Sequence, residues 1–103
     1  MKYRILRTDT ANDQLYEIIR YIANDSGSTD VALSYLDKIE QAVMRLEEQP
    51  HSGSYPRYTI LKRQGYRVLI VERHLIFYKT DDEVCTVTIH AIVDSRREYR
   101  YLI

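Results

Sequence analysis

The apolar residues of this chain change their spacing once, and that change leaves few folds open. Between residues 11 and 46 they recur every three or four positions, which is the period of an amphipathic helix. Between residues 66 and 93 they form short runs and alternate with polar residues, which is typical of β-strands. The pattern therefore predicts an α+β domain whose helices pack on one face of a single, largely antiparallel sheet.

The first half of the chain predicts two helices. The first covers residues 11–24, and Thr10 and Asp13 stand before its apolar run in the spacing of a capping box. The second begins at residue 28 or 29, where a serine or threonine can cap it. Helices joined by so short a turn must pack antiparallel as a hairpin.

A loosely alternating segment, residues 1–8, predicts a strand before the helices, and three more strands follow them. The later strands cover residues 66–72, 74–80 and 84–93, and the polar residues 81–83 form the last tight turn. Strands so closely connected run antiparallel. Residues 51–64 are predicted to be irregular.

The last strand has one apolar side, so its faces can be predicted from the sequence. The apolar side carries Cys85, Val87, Ile89, Ala91 and Val93. We expect this side to meet the helices and Cys85 to act as a small buried hydrophobe. His90 belongs to the other side, where we expect it to meet a ligand or partner.

Length and composition limit the functional classes. With 103 residues and neither a repeat nor a linker, the chain predicts one domain, residues 1–103. Its longest aliphatic run is Val68–Val71 and no secretory signal is seen, so no membrane association and a cytoplasmic location are expected. One cysteine and three scattered histidines form no zinc pattern, so neither a metal nor another cofactor is expected.

Charge is balanced in total but polarised along the chain. Residues 1–50 carry six basic and nine acidic residues, and residues 51–103 carry nine basic and six acidic ones. The final ten residues, DSRREYRYLI, hold three arginines and two tyrosines and are predicted to be exposed. The basic half can attract phosphate or an acidic partner. The alternative is that the helices simply collected the acids on a solvated face.

The order of elements and two short motifs resemble the RelE/ParE toxin superfamily of type II toxin–antitoxin systems. Residues 65–78, GYRVLIVERHLIFY, resemble the family's arginine-bearing strand followed by an apolar strand that ends in tyrosine. The segment from Ile89 to Tyr99, with Arg96-Arg97-Glu98-Tyr99, resembles the family's closing I-x-H-x-R-R-D-Y. The resemblance covers nearly the whole chain.

The resemblance implies a toxin that a cognate antitoxin neutralises, with a homodimer or a toxin–antitoxin hetero-oligomer as the possible assemblies. RelE-like members cut mRNA on the ribosome, and ParE-like members bind DNA gyrase. Leu75 stands where a RelE-like nuclease would have a catalytic arginine, and Asp94 replaces the family's histidine before the closing arginines. These departures favour the ParE side. A degenerate toxin that only binds its antitoxin is the third possibility.

Each activity predicts its own set of site residues. Cutting RNA needs a proton carrier, positive charge on the phosphate and a group that stacks on a base or donates a proton. His90 can carry the proton, and Tyr99 can stack or donate; the phosphate can be held by Arg67, Arg96 and Arg97. Target binding would instead use Arg67, Arg96, Arg97, Tyr99 and Arg100. The plainer alternative for Arg67 is a salt bridge to a helix acid.

Overall fold

The computed structural model describes residues 2–97 and 99, and within them it confirms the α+β prediction. The strands are β1 (Arg4–Arg7), β2 (Arg67–Val71), β3 (His74–Asp81) and β4 (Thr86–Asp94). In the described part of the chain they form one sheet in the order β1-β4-β3-β2. Strands β2, β3 and β4 are antiparallel as predicted, whereas β1 pairs in parallel with β4. No helix among the described residues is long and apolar enough to cross a membrane.

Two long helices follow β1 as a hairpin. They are α1 (Asp9–Ser26) and α2 (Thr29–Met44), and a 3-10 turn, Arg45–Glu47, extends α2. Ser28 caps α2 as predicted, since its hydroxyl accepts from the Val31 N–H at 3.3 Å. The predicted cap of α1 at Thr10 and Asp13 is wrong. Thr8 caps α1 by accepting from the Ala11 N–H at 3.1 Å, so the helix begins two residues earlier than expected.

A bulge in β4 changes which of its side chains face the helices. Phe77 pairs with Ala91 and Tyr78 pairs with Ile89, so His90 is the extra residue. Before the bulge, Val87 and Ile89 face the helices as predicted. The prediction that Ala91 and Val93 share that face is wrong, because the extra residue reverses the alternation and Ile92 takes their place.

The helix hairpin and the sheet enclose the main core. Its buried members come from α1, α2, the 3-10 turn, β3 and β4, and they are Ala11, Leu15, Ile39, Val43, Leu46, Ile76, Tyr78, Val87, Ile89 and Ile92. The predicted helix stripes thus supply this core, and the sheet face toward the helices completes it.

The opposite sheet face is covered as well, which the sequence did not predict. A short helix, α3 (Thr59–Arg63), lies within the segment predicted to be irregular, and Leu61 packs from it onto the sheet. Tyr99 is only 4% exposed, so the prediction of an exposed tail is wrong at this residue. This second core contains Leu61, Tyr66, Val68, Phe77, Ala91, Val93 and Tyr99.

The turn between β3 and β4 is longer than predicted. Strand β4 begins at Thr86, so Cys85 belongs to the turn and has a positive φ of 52°. Its side chain is half-buried, and its Sγ lies 3.7 Å from the Asp82 carbonyl oxygen. The expectation that Cys85 fills the core is therefore wrong.

Candidate functional site

A groove of about 490 Å³ runs between α1 and the end of β4, and it includes two of the predicted site residues. Its apolar wall is formed by Ile18, Tyr21, Ile22 and Ile92. Arg73, Arg96 and Arg97 line its basic end, with His74 and Asp94 among them. We call it the α1–β4 groove. An apolar wall beside convergent polar groups is the usual composition of a binding site.

Asp94 fixes the position of Arg96 at this groove. The Arg96 backbone N–H and Nε donate to Asp94 Oδ1 at 2.8 and 3.2 Å, and a terminal guanidinium nitrogen donates to Oδ2 at 3.0 Å. These hydrogen bonds from Arg96 lower the pKa of Asp94 to about 2. The Arg97 backbone N–H also donates to the Asp94 carbonyl at 3.2 Å. Asp94 thus orders the turn that carries Arg96 and Arg97, which we call the arginine turn.

Arg97 and Arg73 differ from Arg96 because neither of them forms an ion pair within residues 2–97 and 99. Both side chains are exposed at the groove, which Asp13 and Glu17 of α1 also line. Charged groups of both signs beside an apolar wall favour a protein partner that carries complementary charges. The sequence pointed to Arg97 but gave no sign of Arg73, which reaches the groove from the β2–β3 turn.

His74 is a groove residue that the sequence suggested would be a solvated residue at a strand edge. It is only 5% exposed, and its Nδ1 lies 2.6 Å from the Tyr35 hydroxyl. The same hydroxyl lies 3.0 Å from the Val71 carbonyl oxygen, so it can donate its one proton either to that carbonyl or to Nδ1. Burial lowers the pKa of His74 and, as the largest cause, raises that of Tyr35 to about 12.

Arg67 lies away from the groove. Its guanidinium donates to the Gly53 carbonyl at 3.0 Å and lies 4.8 Å from the centre of the Tyr55 ring. It therefore has a loop carbonyl and an aromatic ring as partners rather than a helix carboxylate. In the sheet register Arg67 pairs with Tyr78 and Tyr78 with Ile89, whereas His74 pairs with Asp94. Arg67 is thus level with the middle of β3 and β4, four residues along β3 from the end that carries the arginine turn.

His90 and Tyr99 belong to the other sheet face. The His90 ring stands edge-on to Tyr66 at 5.4 Å, and burial, followed by the charge of Lys79, lowers its pKa. The Tyr99 ring packs within the second core against Phe77 and Tyr58, with ring centres 5.4 Å apart in both cases. Arg67 is on the helix side, because it pairs with Tyr78 of the main core.

The five residues predicted for RNA cleavage therefore do not meet in one site. Arg96 and Arg97 are together, but Arg67 is level with the middle of β3 and His90 is on the other face of the sheet. Tyr99 is buried. Arg100, the remaining predicted target-binding residue, lies outside the described residues.

A second basic surface contains Arg67. Residues 49–71 include four basic residues and no acidic one. Lys62 Nζ lies 4.4 Å from the centre of the Tyr55 ring, on which Arg67 also stacks, and Lys79 Nζ lies 4.5 Å from the Tyr66 ring. We use the name aromatic–basic edge for these two groups, Tyr55 with Lys62 and Arg67, and Tyr66 with Lys79.

Comparisons with known proteins agree with this fold. The chromosomal ParDE toxin–antitoxin system of P. aeruginosa includes a chain similar to this one, with a TM-score of 0.74 and 18% identity over 90% of this chain and 96% of that chain. A chain of the toxin–antitoxin complex RelBE2 from Mycobacterium tuberculosis aligns with a TM-score of 0.63 and 20% identity, over 91% of this chain and 99% of that one. A search of curated proteins finds no significant sequence match.

A family model provides the assignment that these distant structural likenesses do not. The model for the ParE toxin of the type II toxin–antitoxin system parDE matches residues 5–99, which include every described helix and strand except the first residue of β1. The resemblance to the RelE/ParE superfamily is thereby confirmed. The chain belongs to the ParE toxin family of type II toxin–antitoxin systems.

Proposed function

We propose that this protein acts as a toxin by binding DNA gyrase through the α1–β4 groove, without cutting RNA. The observation that carries the proposal is the dispersal of the groups that RNA cleavage would need. A general base must lie within hydrogen-bond reach of the reacting hydroxyl while cations hold the same phosphate. His90 and the Arg96–Arg97 pair cannot do this together, since they contact different surroundings at different parts of the sheet.

The groove has the composition expected of a protein-binding surface. Tyrosine and arginine are the residues that most often dominate binding energy at interfaces, and both line it here. Tyr21 is 60% exposed at its rim, and Arg97 is exposed without an ion pair among the described residues. The apolar wall would exclude water from contacts that the arginines make.

A cognate antitoxin is the second partner that we propose. The family is defined by toxin–antitoxin pairs, and the two solved relatives are toxin–antitoxin systems. A disordered antitoxin segment would fold as it covers the helix hairpin and the sheet, giving a cytoplasmic hetero-oligomer. Expression of the toxin alone should arrest growth, and the antitoxin should rescue it.

RNA cleavage remains the second candidate function because of the aromatic–basic edge. Its tyrosine rings and unneutralised cations are the elements of a surface that binds a nucleic-acid strand. His90 stands edge-on to Tyr66 of this surface. A nuclease at this edge would therefore use His90 with Lys79, whose charge acts on it, and neither Arg67 nor the arginine turn.

Paired assays on the purified protein separate the two functions. We expect inhibition of gyrase supercoiling, reduced about tenfold or more by Arg97→Ala, because one charge-assisted contact is worth more than about 1.4 kcal/mol. Arg45→Ala is the matched control, since Arg45 is an exposed arginine that does not line the groove. Equal inhibition by the two variants would contradict a role for the groove.

The mRNA assay uses translating ribosomes and the variant His90→Gln. If the protein is a gyrase binder, the wild type should leave mRNA intact and the variant should inhibit gyrase normally. Ribosome-dependent cleavage that falls about a hundredfold in His90→Gln would instead establish the nuclease. Absence of both activities, with antitoxin binding retained, would identify a degenerate toxin.

A further inference from the structure

We infer that His74, Arg73 and Arg97 form an oxyanion site at the basic end of the α1–β4 groove, which takes a carboxylate of a partner protein and couples its binding to protonation of His74. The inference deepens the proposed function and rests on it for the identity of the partner. The site itself is a property of the isolated chain and can be tested without gyrase.

The two ring nitrogens of His74 differ in their surroundings. Nδ1 lies within hydrogen-bond distance of the Tyr35 hydroxyl, and no hydrogen bond engages Nε2 within the described residues. In that same part of the chain, no buried side-chain nitrogen or oxygen lacks a hydrogen-bond partner. Nε2 is therefore not fully buried, and His74 lines the groove.

The charge of the His74 ring depends on pH. The Tyr35 hydroxyl is within hydrogen-bond distance of both Nδ1 and the Val71 carbonyl, so either nitrogen of the neutral ring can carry its proton. Uptake of a second proton makes the ring a cation whose two nitrogens both donate. The cationic ring attracts an anion more strongly than the neutral ring does. Anion binding and proton uptake must therefore favour each other.

Charged groups from several elements surround His74. Asp94 pairs with it in the sheet, but the carboxylate of Asp94 is bound to Arg96. Glu72 in the β2–β3 turn is bound to Lys38 of α2 at 2.8 Å. Helix α1 contributes Asp13, Glu17 and Tyr21 to the lining of the groove. Tyr35 of α2 contacts the His74 ring. The two carboxylates from α1 offset the charges of Arg73 and Arg97, so protonation of His74 gives the groove lining its net positive charge.

The apolar wall decides which anion is proposed. Ile18, Ile22 and Ile92 flank the site, and they would contact the apolar neighbours of a side-chain carboxylate. A sugar–phosphate chain would gain nothing from such a wall. An acidic residue on an amphipathic protein segment therefore fits the groove best.

The test follows the imidazole NMR signals of His74 in the full chain, with acetate as the probe and equal sodium chloride as the reference. Acetate should raise the pKa of His74 and bind about fivefold or more tightly near pH 5.5 than near pH 7.5. Arg97→Gln should weaken binding about fivefold or more, and Arg45→Gln should change it less than about twofold. Glu17→Gln should strengthen it.

The variant His74→Gln tests the coupling. Glutamine cannot take up a proton, so acetate binding, followed by the backbone amide signals of Arg73 and Arg97, should lose most of its pH dependence. An unchanged His74 titration at about 100 mM acetate, or equal effects of Arg97→Gln and Arg45→Gln, would overturn the inference. A short oligodeoxynucleotide that shifts these signals more than acetate would overturn the choice of a carboxylate.

The two proposals fail separately. Acetate binding with these properties but no inhibition of gyrase would leave the site and remove the proposed target. Gyrase inhibition that depends on Arg97, with no response of His74 to acetate, would keep the target and remove the oxyanion site.

Discussion

Replacing Gly53 by alanine tests whether a single close contact holds the loop before α3 against the sheet. A Cβ at this position would lie 2.5 Å from the Tyr78 hydroxyl oxygen, 2.8 Å from its Cε1 and 3.0 Å from its Cζ. The Tyr78 ring cannot move aside easily, because it is fully buried in the main core. The Gly53 N–H also donates to the Tyr78 hydroxyl at 2.9 Å.

Three contributions set the expected loss of unfolding free energy. Overpacking a buried site costs about 1 to 3 kcal/mol. Shifting the loop would weaken the Gly53–Tyr78 hydrogen bond, worth about 1 kcal/mol. Alanine restricts the unfolded chain and returns about 0.4 to 1 kcal/mol. We expect Gly53→Ala to destabilise the protein by about 1 to 3 kcal/mol.

Urea unfolding followed by circular dichroism measures this loss, with an unchanged m value as evidence of two-state behaviour. Ser52→Ala, at the exposed neighbouring position, is the control. In a Tyr78→Phe background the nearest clashing atom is absent, so Gly53→Ala should cost less there. A loss below about 0.5 kcal/mol in the wild-type background would refute the close contact, because surface changes are of that size.

Three further predictions concern the core and the groove. Ile39→Ala should lower the unfolding free energy by about 2 to 5 kcal/mol, because Ile39 is fully buried. Leu33→Ala, on the exposed side of α2, should lower it by less than about 1 kcal/mol. Equal losses in urea unfolding would mean that the faces of α2 are misassigned. Since the pKa of Asp94 is lowered to about 2, the stability that its ionised carboxylate contributes is complete above about pH 4 and lost as pH falls toward 2. The unfolding free energy of Asp94→Asn, measured over the same pH range, should lack this loss. Burial lowers the pKa of His74, so stability should fall as pH drops below about 6.5 where the unfolded chain takes up the proton; an unchanged pH profile in His74→Gln would contradict this.

Local spacing was sufficient to predict the kinds and order of the main elements. The stripes of α1 and α2 are periodic over many residues, and the serine at position 28 caps its helix as predicted because capping depends on neighbours three residues apart. The short turns between β2, β3 and β4 likewise determined antiparallel pairing. The family resemblance followed from the same local motifs.

The bulge at His90 shows where such reasoning ends. Strict alternation assigned Ala91 and Val93 to the helix side, and one unpaired residue placed them on the other face. Nothing in the local sequence marks that residue, because its place depends on the register with β3. Tyr99 was misjudged for a related reason, since its ring packs against Tyr58, which precedes α3, and Phe77 of β3.

The arginine pair and its closing motif were visible in the sequence alone, as were the helix stripes, because each depends on residues that are close along the chain. The tertiary structure alone decided what surrounds them. It placed Arg73 and His74 beside Arg97, and it bonded His74 to Tyr35, 39 positions away. It also separated Arg67 and His90 from the arginine turn. A site made of distant residues depends on strand register and packing, which act over the whole fold and leave no local pattern.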